Sequence, residues 1–295
     1  MSERICAVVV THNRLTLLQE CIESLRNQTR SLDEIIVVNN DSKDGTKEWL
    51  NKQKDLTSIH QENLGGAGGF YNGIKAAYEM GYDWIWCMDD DCLPTAISLQ
   101  QLLDFRKNDF TILNSFILSK TNKFKINFGF FDYAEKVFYD NIDQVSGKTF
   151  LHGAGFFNGT LFSRKAVAKV GLPNPKLFIY GDEYEYYLRY LKNDIDILTV
   201  TSSIVYHPEQ RYKYFGKGKL FYRFNYLNDL GVKYFPRNIM AIWYYYEEFT
   251  FRKLVKTYFC DLAGLLFIQK KIRLVLKYVF AILSGVLFTL KNEIG

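Results

Sequence analysis

The sequence predicts an α/β protein built on a doubly wound, mostly parallel sheet, with a helical region at its C-terminal end. Three observations support this fold class. Short apolar runs typical of strands alternate with helical stripes through the first hundred residues, as in successive right-handed β–α–β crossovers. Three consecutive aspartates directly follow one of these apolar runs. Beyond about residue 217, long apolar runs are interleaved with lysine and arginine.

The first predicted strand, "RICAVVVTH", is a β-branched run of the kind found in sheets that are covered on both faces. It is followed by "TLLQECIESLRNQ", whose apolar residues share one helical stripe. The same alternation continues through the strands "DEIIVVNN", "SIHQEN" and Tyr82 to Met88, and through the helices "GTKEWLNKQ", "GGFYNGIKAAYEMG" and "TAISLQQLLDFRK". The sheet is therefore expected to form from the first hundred residues onward.

The alternation loosens further along the chain. Residues 110–150 contain short aromatic-rich runs separated by Asn, Asp and Gly, which predicts hairpins or an insert. Helices are expected at "SRKAVAKVG" and "GDEYEYYLRYLKN", and a further strand at "DILTVTSSIVYH". We therefore expect one α/β domain over residues 1–216 and a helical region over residues 217–295.

Composition limits the class of protein. The 295 residues are 48% hydrophobic with a net charge of +5, so the chain can bury a full core and shows no nucleic-acid signature. The five cysteines have irregular spacings and lie largely in apolar runs, which favours reduced core thiols over disulfides or a zinc cluster. The first apolar run is too short for a signal peptide, which predicts a cytoplasmic protein.

The acidic triplet Asp89, Asp90 and Asp91 has two interpretations. An acidic triplet by itself is most often a solvated turn. This one follows a predicted buried strand, and open α/β sheets bind ligands at the carboxyl ends of their strands. Adjacent carboxylates at such an edge repel one another, so a cation between them is favourable. Oxygen ligands of this kind suit Mg²⁺ or Mn²⁺ rather than Zn²⁺.

Six segments of the chain resemble the motifs of a known family and occur in the same order. They are "VVVTHNR", "IIVVNNDSKDGT", "ENLGGAGGFYNGI", "MDDD", "FIYGDEYEYYLR" and "VYH". Over roughly residues 5–210 the chain resembles the inverting family 2 glycosyltransferases of the GT-A fold. Its glycine-rich loop and triple-Asp form look most like galactofuranosyltransferases or rhamnosyltransferases of bacterial surface polysaccharides. The resemblance implies a nucleotide-sugar donor, UDP-galactofuranose before dTDP-rhamnose, and a lipid-linked or oligosaccharide acceptor.

The resemblance also assigns donor and metal roles. Asp89 and Asp91 look like the outer carboxylates of a DxD motif that holds Mn²⁺ or Mg²⁺, and His207 matches an additional metal ligand. The donor-binding residues implied are Thr11, Arg14, Asn40, Asn63, Gly65, Gly66 and Asp90. Family members usually have an Asp where this chain has Asn39 and Asn40, and an Asn carbonyl can accept the same hydrogen bond from the base without the charge. The glycine loop could also be an ordinary turn, and His207 a structural residue.

The segment "FIYGDEYEYYLR" contains three acidic residues that are candidates for the base that activates the acceptor hydroxyl. The resemblance points to Glu183 as the general base and to Asp182 as a supporting acceptor contact, with Glu185 as a further candidate. Three acidic residues within one turn are equally typical of a solvated helix start favoured by the helix dipole.

Two other functions share some of these sequence features. A sugar nucleotidyltransferase also combines a doubly wound fold with metal carboxylates, but it normally has a glycine-rich loop with a basic residue where this chain has "THNR". A non-catalytic nucleotide-sugar-binding protein would be expected to lack the DxD or base position, and this sequence retains both.

The region over residues 217–295 is basic and apolar. Lys270, Arg273 and Lys277 share one face of a predicted helix, which is typical of helices that lie on a membrane surface. The apolar stretch from Tyr278 to Leu290 is shorter than the ~20 residues of a membrane span. We therefore expect a peripheral contact with the inner face of the cell membrane. The alternative is a helical subdomain that packs on itself or forms a homo-oligomer.

Overall fold

The computed structural model describes residues 3–209, 227–246 and 248–288. The chain divides into two compact units, Met1–Lys176 with Tyr186–Gln210, and Leu177–Glu185 with Arg211–Gly295. The predicted boundary between residues 216 and 217 lies outside the described residues. The sequence did not predict that the short segment Leu177–Glu185 belongs with the helical unit.

The first unit is built on an 11-stranded mixed sheet. Its strands are β1 (Ile5–Thr11), β2 (Glu34–Asn40), β3 (Thr57–Gln61), β4 (Trp84–Asp89), β5 (Leu93–Pro94), β6 (Ile112–Ser119), β7 (Lys125–Asp132), β8 (Val137–Asn141), β9 (Phe150–His152), β10 (Asn158–Ser163) and β11 (Ile197–His207). The main order is β3-β2-β1-β4-β10-β6-β11-β5.

The sheet is parallel in its first part and mixed beyond it. β1 pairs in parallel with β2 and β4, and β2 in parallel with β3. β10 is antiparallel to both β4 and β6. A parallel crossover needs a long connection, usually a helix, whereas the chain between β6 and β10 forms the hairpin of β7 and β8. The expectation of a mostly parallel sheet therefore holds for the first four strands and for β6 with β11.

Helices cover both faces of the parallel strands. They are α1 (Leu15–Arg26), α2 (Thr46–Leu50), α3 (Gly65–Glu79), α4 (Ser98–Asp104) and α5 (Arg164–Val170), and α6 (Asp182–Lys192) begins in the second unit and ends in the first. Alternate residues of β1 point to opposite faces, as strand geometry requires: Val8 packs with Ile74 in one core cluster, and Val9 with Leu18 in the other. This double burial fixes the positions of the strand ends.

The second unit is helical in its described residues. It contains α7 (Asp229–Tyr245), α8 (Phe251–Leu254), α9 (Cys260–Ala263) and α10 (Ile272–Leu287), with π-helical segments at Val255–Phe259 and Gly264–Ile268. Helices α7 and α10 approach so closely that a Cβ added at Gly285 would lie 2.4 Å from the carbonyl oxygen of Arg237. None of the helices in the described ranges combines the length and apolar character of a membrane span.

All five cysteines are buried and free. Their burial agrees with a place in the core, and their reduced state stays a prediction.

Candidate active site

The acidic triplet lies where a buried strand ends. Strand β4 is buried up to Met88 and ends at Asp89. The carbonyl of Asp89 accepts a hydrogen bond from the backbone N–H of Cys92, so the chain turns immediately after the strand. Asp90 and Asp91 lie in this turn and are only 3% and 9% exposed. The placement of the triplet at a carboxyl strand end is therefore confirmed.

Asp90 links the end of β1 to the end of β4. Its carboxylate accepts a 2.7 Å hydrogen bond from the Thr11 hydroxyl and a 3.1 Å hydrogen bond from Arg14 Nη1. Burial, with a further contribution from the charge of Asp91, raises the pKa of Asp90 to about 6 against the opposing effect of these two partners. The predicted donor residues Thr11, Arg14 and Asp90 thus form one cluster, in which both oxygens of Asp90 bind protein groups.

Arg14 bridges the two buried carboxylates. The same Nη1 atom lies 2.8 Å from Asp91 Oδ2, and half of the Arg14 side chain is exposed. Because the Arg14 guanidinium is held by Asp90 and Asp91 and is also open to solvent, it can face an anionic ligand.

Asp91 and His207 face each other at the ends of β4 and β11. His207 Nε2 lies 2.9 Å from Asp91 Oδ1, although this buried oxygen has no partner that meets hydrogen-bond geometry in the described residues. His207 Nδ1 lies 2.8 Å from the Pro208 carbonyl, and donation to that carbonyl leaves the lone pair of the neutral ring on Nε2. A carboxylate oxygen and an unprotonated ring nitrogen then converge, as metal ligands do.

The same pair can also exist as an ion pair. Burial lowers the pKa of His207, but the adjacent Asp91 outweighs this and holds the pKa of His207 above its ordinary value. Burial likewise raises the pKa of Asp91, and His207 with Arg14 more than offsets it, so the net shift is downward. A proton on His207 and a metal ion are therefore alternative partners of Asp91.

Three potential ligand residues meet at this site, but only the oxygen and nitrogen atoms among them are suited to bind an ion. Cys92 Sγ also lies in the group, since the three ligand atoms of Asp91, Cys92 and His207 are within 4.8 Å of one another. Burial raises the pKa of Cys92 well above its usual value, so its thiol stays neutral and packs in the core. Asp91 and His207 remain as residues that could hold an ion such as Mn²⁺. Asp89 is not in this group among the described residues, and its metal role stays a prediction.

The glycine-rich loop has two structural uses. Gly65, with φ +69°, opens α3 and donates its N–H to Asn63 Oδ1 at 2.9 Å. Further along α3, a Cβ on Gly69 or Gly73 would lie 2.4 Å from a valine side chain of β1. The later glycines therefore allow α3 to pack on the sheet, whereas Gly65 and the following Gly66 form a helix N-terminus, which suits an anion.

Asn40, at the end of β2, is hydrogen-bonded to this loop. It is 2% exposed; its amide donates to the Gly65 carbonyl at 3.0 Å, and its Oδ1 accepts a 2.6 Å hydrogen bond from Gln61. The Oδ1 of the neighbouring Asn39 accepts from the Ser42 N–H. Because both amide oxygens already bind protein groups, a direct contact of Asn40 with a base stays a prediction.

His12 is not among the donor-binding residues that the resemblance implied, yet it lies beside the glycine-rich loop. The ring of His12 is exposed, and its Nδ1 lies 2.5 Å from the Asn40 carbonyl oxygen. Its Nε2 lies 2.9 Å from Asn13 Nδ2 and 3.4 Å from Asn63 Nδ2. His12 thereby joins the end of β1 to the glycine loop. Its position directly after Thr11 in "VVVTHNR" was the available signal.

The three candidate bases at the start of α6 differ in environment. Asp182 is 6% exposed, Glu183 is exposed, and Glu185 is fully buried with its Oε1 2.7 Å from the Tyr246 hydroxyl. Surrounding protein desolvates Asp182 and Glu183 and raises both pKa values; the charge of Glu185 adds to the rise at Asp182, and that of Asp182 to the rise at Glu183. Water at the exposed Glu183 carboxylate limits its rise. Glu183 is accordingly the accessible member, and Glu185 serves as an internal hydrogen-bond acceptor.

Comparison with known proteins identifies the family. The family model described as "Glycosyl transferase family 2" matches residues 6–171, more than half of the chain, including the acidic triplet and the glycine loop. The chain belongs to glycosyl transferase family 2. The matched span ends before Asp182, Glu183 and His207, so the roles of these three residues rest on geometry and on the sequence resemblance.

The curated relatives of this family 2 glycosyltransferase include two that are similar over most of their length. The galactofuranosyltransferase GlfT1 of Mycolicibacterium smegmatis is 30% identical over 216 residues, which are 70% of this chain and 72% of the relative. GlfT1 of Mycobacterium tuberculosis is 30% identical over 218 residues, 70% of this chain and 71% of the relative. The chain therefore resembles galactofuranosyltransferases, as the sequence analysis predicted.

A solved structure supports the fold. The crystal structure of GalNAc-T7 with UDP, GalNAc and Mn²⁺ superposes with a TM-score of 0.61 at 15% identity, over 94% of this chain and 55% of that chain. At this identity the likeness concerns the fold alone. The predicted GT-A fold with a helical C-terminal region is confirmed, and family membership favours a glycosyltransferase over a nucleotidyltransferase or a non-catalytic binding protein.

Proposed function

We propose that this family 2 glycosyltransferase transfers galactofuranose from UDP-galactofuranose to a hydroxyl of a lipid-linked or oligosaccharide acceptor during surface polysaccharide synthesis. The observation that carries the proposal is the 30% identity to GlfT1 over 70% of the chain. A cluster of buried carboxylates at a strand end supports it, since open α/β sheets bind ligands there. dTDP-rhamnose is the second candidate donor, because the glycine-rich loop and the acidic triplet of this chain also resemble those of rhamnosyltransferases.

A divalent cation fits the residues present. Asp91 and His207 would hold Mn²⁺ or Mg²⁺, with Asp89 as the further ligand that the sequence predicts. The buried Asp91 Oδ1 supports this assignment, because it lies 2.9 Å from His207 Nε2 and has no partner that meets hydrogen-bond geometry among the described residues. When bound, the cation supplies positive charge to the diphosphate leaving group. Arg14 offers a second positive charge, and its bonds to Asp90 and Asp91 fix its position.

The donor side of the site is completed by the glycine loop. Gly65 and Gly66 open α3, and Thr11 ends β1. The Gly65 N–H already binds Asn63 Oδ1 and the Thr11 hydroxyl already binds Asp90, so these two groups hold the loop and the strand end in place for the donor. Asn63 and His12 are exposed and offer amide and imidazole groups for a ribose or base.

Glu183 takes the proton of the acceptor hydroxyl, with Asp182 as an acceptor contact. As the hydroxyl oxygen bonds to the anomeric carbon, the bond from that carbon to the diphosphate oxygen breaks, and the configuration inverts. The proton passes to the Glu183 carboxylate. A pKa raised above the ordinary glutamate range makes Glu183 a better base near neutral pH, and its exposure gives the acceptor access.

The helical unit presents a surface suited to a membrane. Its large exposed apolar residues include Phe251, Phe259, Phe267, Ile272, Leu276, Phe280, Leu283 and Leu287. A groove lined by Phe251, Val255 and Phe259 also has the cations Arg252 and Lys256 in its walls. Apolar side chains beside cations favour an anionic lipid surface, so we place this unit on the inner face of the cell membrane; a homo-oligomer contact is the alternative.

A donor panel tests the proposal. The full chain is incubated with UDP-galactofuranose, UDP-galactopyranose, UDP-glucose and dTDP-rhamnose, each with and without Mn²⁺, and release of the nucleoside diphosphate is measured. We expect the fastest Mn²⁺-stimulated release from UDP-galactofuranose. Faster release from dTDP-rhamnose would replace the donor assignment, and equal rates without Mn²⁺ would contradict the metal assignment.

A further inference from the structure

The backbone directly before the proposed base is irregular. Phe178, Tyr180 and Gly181 all have left-handed φ values, of 64°, 65° and 94°. The Ile179 N–H donates to the Leu177 carbonyl at 2.8 Å, which closes a tight turn around Phe178. Aromatic residues avoid positive φ, so contacts elsewhere in the protein must hold this segment in place.

Asn238 of α7 supplies such contacts. Its side chain is fully buried, and its amide nitrogen lies 2.8, 3.0 and 2.7 Å from the carbonyl oxygens of Leu177, Ile179 and Tyr180. The two amide hydrogens are therefore shared among three carbonyl oxygens within four residues of the chain. Asn238 Oδ1 accepts from Arg237 Nε at 2.8 Å, which orients the amide with its nitrogen towards the segment.

Shape complements these hydrogen bonds at Gly181. A Cβ added there would lie 3.2 Å from Ile242 Cδ1 and 3.4 Å from Asn238 Cβ, so α7 packs closely against the residue that precedes Asp182. On the other side of the proposed base, the Tyr246 hydroxyl donates to the buried Glu185 carboxylate at 2.7 Å. Helix α7 and Tyr246, the residue directly after it, thus contact the chain before and after Glu183.

We propose that Asn238 is a positioning residue for the general base, with Tyr246 as its second support. This inference rests on the proposed role of Glu183. A base acts only within hydrogen-bond reach of the proton that it removes, and a displacement of about 1 Å can lower a rate on the order of 10²-fold. The C-terminal helical region is on this account part of the catalytic apparatus as well as a surface for attachment.

Two variants and a matched control test the proposal in the full chain. Asn238→Ala removes all three carbonyl contacts, and Tyr246→Phe removes one hydroxyl without changing shape. Tyr258→Phe is the control, because Tyr258 is also buried in the helical unit but donates its hydroxyl to the Pro236 carbonyl of α7 and not to the segment Leu177–Glu185. For each variant, transfer kcat, donor KM, UDP affinity and Tm are measured.

We expect Asn238→Ala to lower transfer kcat on the order of 10-fold to 10²-fold, and Tyr246→Phe to lower it several-fold. Donor KM and UDP affinity should stay within about twofold of the unchanged protein, because the donor residues belong to the first unit. Tyr258→Phe should lower Tm about as much as Tyr246→Phe while keeping kcat.

Equal kcat in Tyr246→Phe and Tyr258→Phe at matched Tm would overturn the positioning role, and this comparison decides the matter if Asn238→Ala does not fold. A parallel loss of UDP affinity would also overturn it, since the effect would then be a general disruption. Glu183→Gln separates this failure from that of the base assignment: full activity in Glu183→Gln rejects the base itself, whatever Asn238 does.

Discussion

The donor side and the base side of the proposed machinery are held in place by different kinds of structure. Asp90 and Asp91 follow a strand that is buried on both faces, and their partners Thr11 and His207 end other strands of the same sheet. Glu183 instead follows a segment of left-handed backbone that is held by side chains of α7. Strand ends are positioned by the core, whereas the base segment depends on a few hydrogen bonds from a distant part of the sequence.

The largest effect is expected at the base. Glu183→Gln keeps the size and polarity of the side chain but removes its ability to accept the proton, so turnover should fall on the order of 10²-fold or more while UDP binding persists. Transfer is measured at saturating donor, and UDP binding by calorimetry. Glu79→Gln, at an exposed position late in α3, is the control. Normal turnover in Glu183→Gln would move the base to Asp182 or Glu185.

The next effect concerns the donor side. His207→Ala removes one proposed metal ligand and should weaken Mn²⁺ binding in the presence of UDP on the order of 10-fold to 100-fold. His152→Ala is the matched control, since His152 Nδ1 also lies near a buried carboxylate, 3.7 Å from Asp132 Oδ1. Calorimetric titration of Mn²⁺ gives both affinities. If the two variants bind Mn²⁺ equally well, His207 is a structural histidine.

The difference between the two sides also explains what could be predicted from the sequence. The apolar run from Tyr82 to Met88 and the acidic stop after it are local signals, and they located β4 and the triplet correctly. The resemblance named Thr11, Arg14 and Asp90 separately, and the structure joins them in one cluster. The sequence could not show that Asp90 binds protein groups through both oxygens, because its partners lie at the end of β1 and just before α1.

The base assignment rests on the resemblance alone. Nothing in "FIYGDEYEYYLR" indicates the left-handed residues Phe178 and Tyr180, which propensity disfavours. Their support comes from Asn238, in a region that the sequence analysis treated as an attachment surface. A single buried asparagine in a helix has no sequence signal of its own, because its partners are backbone carbonyls.

The outer surfaces of the two units offer a smaller test. Phe280 on α10 and Phe124 before β7 are 70% and 67% exposed, but only Phe280 lies in the proposed membrane surface. Phe280→Glu should weaken flotation with anionic liposomes about fivefold to tenfold, because it removes apolar burial and adds repulsion. Phe124→Glu should leave flotation unchanged. Equal flotation of both variants, or none with the unchanged protein, would favour the oligomer contact.

The smallest effect is a shift in pH dependence at the base. The negative charge of Asp182 disfavours the ionised form of Glu183 and contributes to its raised pKa. Because Glu183 must be ionised to accept a proton, kcat should rise with pH through this raised pKa. Asp182→Asn removes the charge and lowers the pKa of Glu183, so the acidic limb of the kcat profile should move to lower pH, even if the plateau falls with the loss of an acceptor contact. The shift should be less than about one pH unit, since water screens the exposed carboxylate.

Asp194→Asn removes the same charge from an exposed position just beyond α6 and should leave the limb in place. A limb that stays fixed or moves to higher pH in Asp182→Asn would show that the titration belongs to another group.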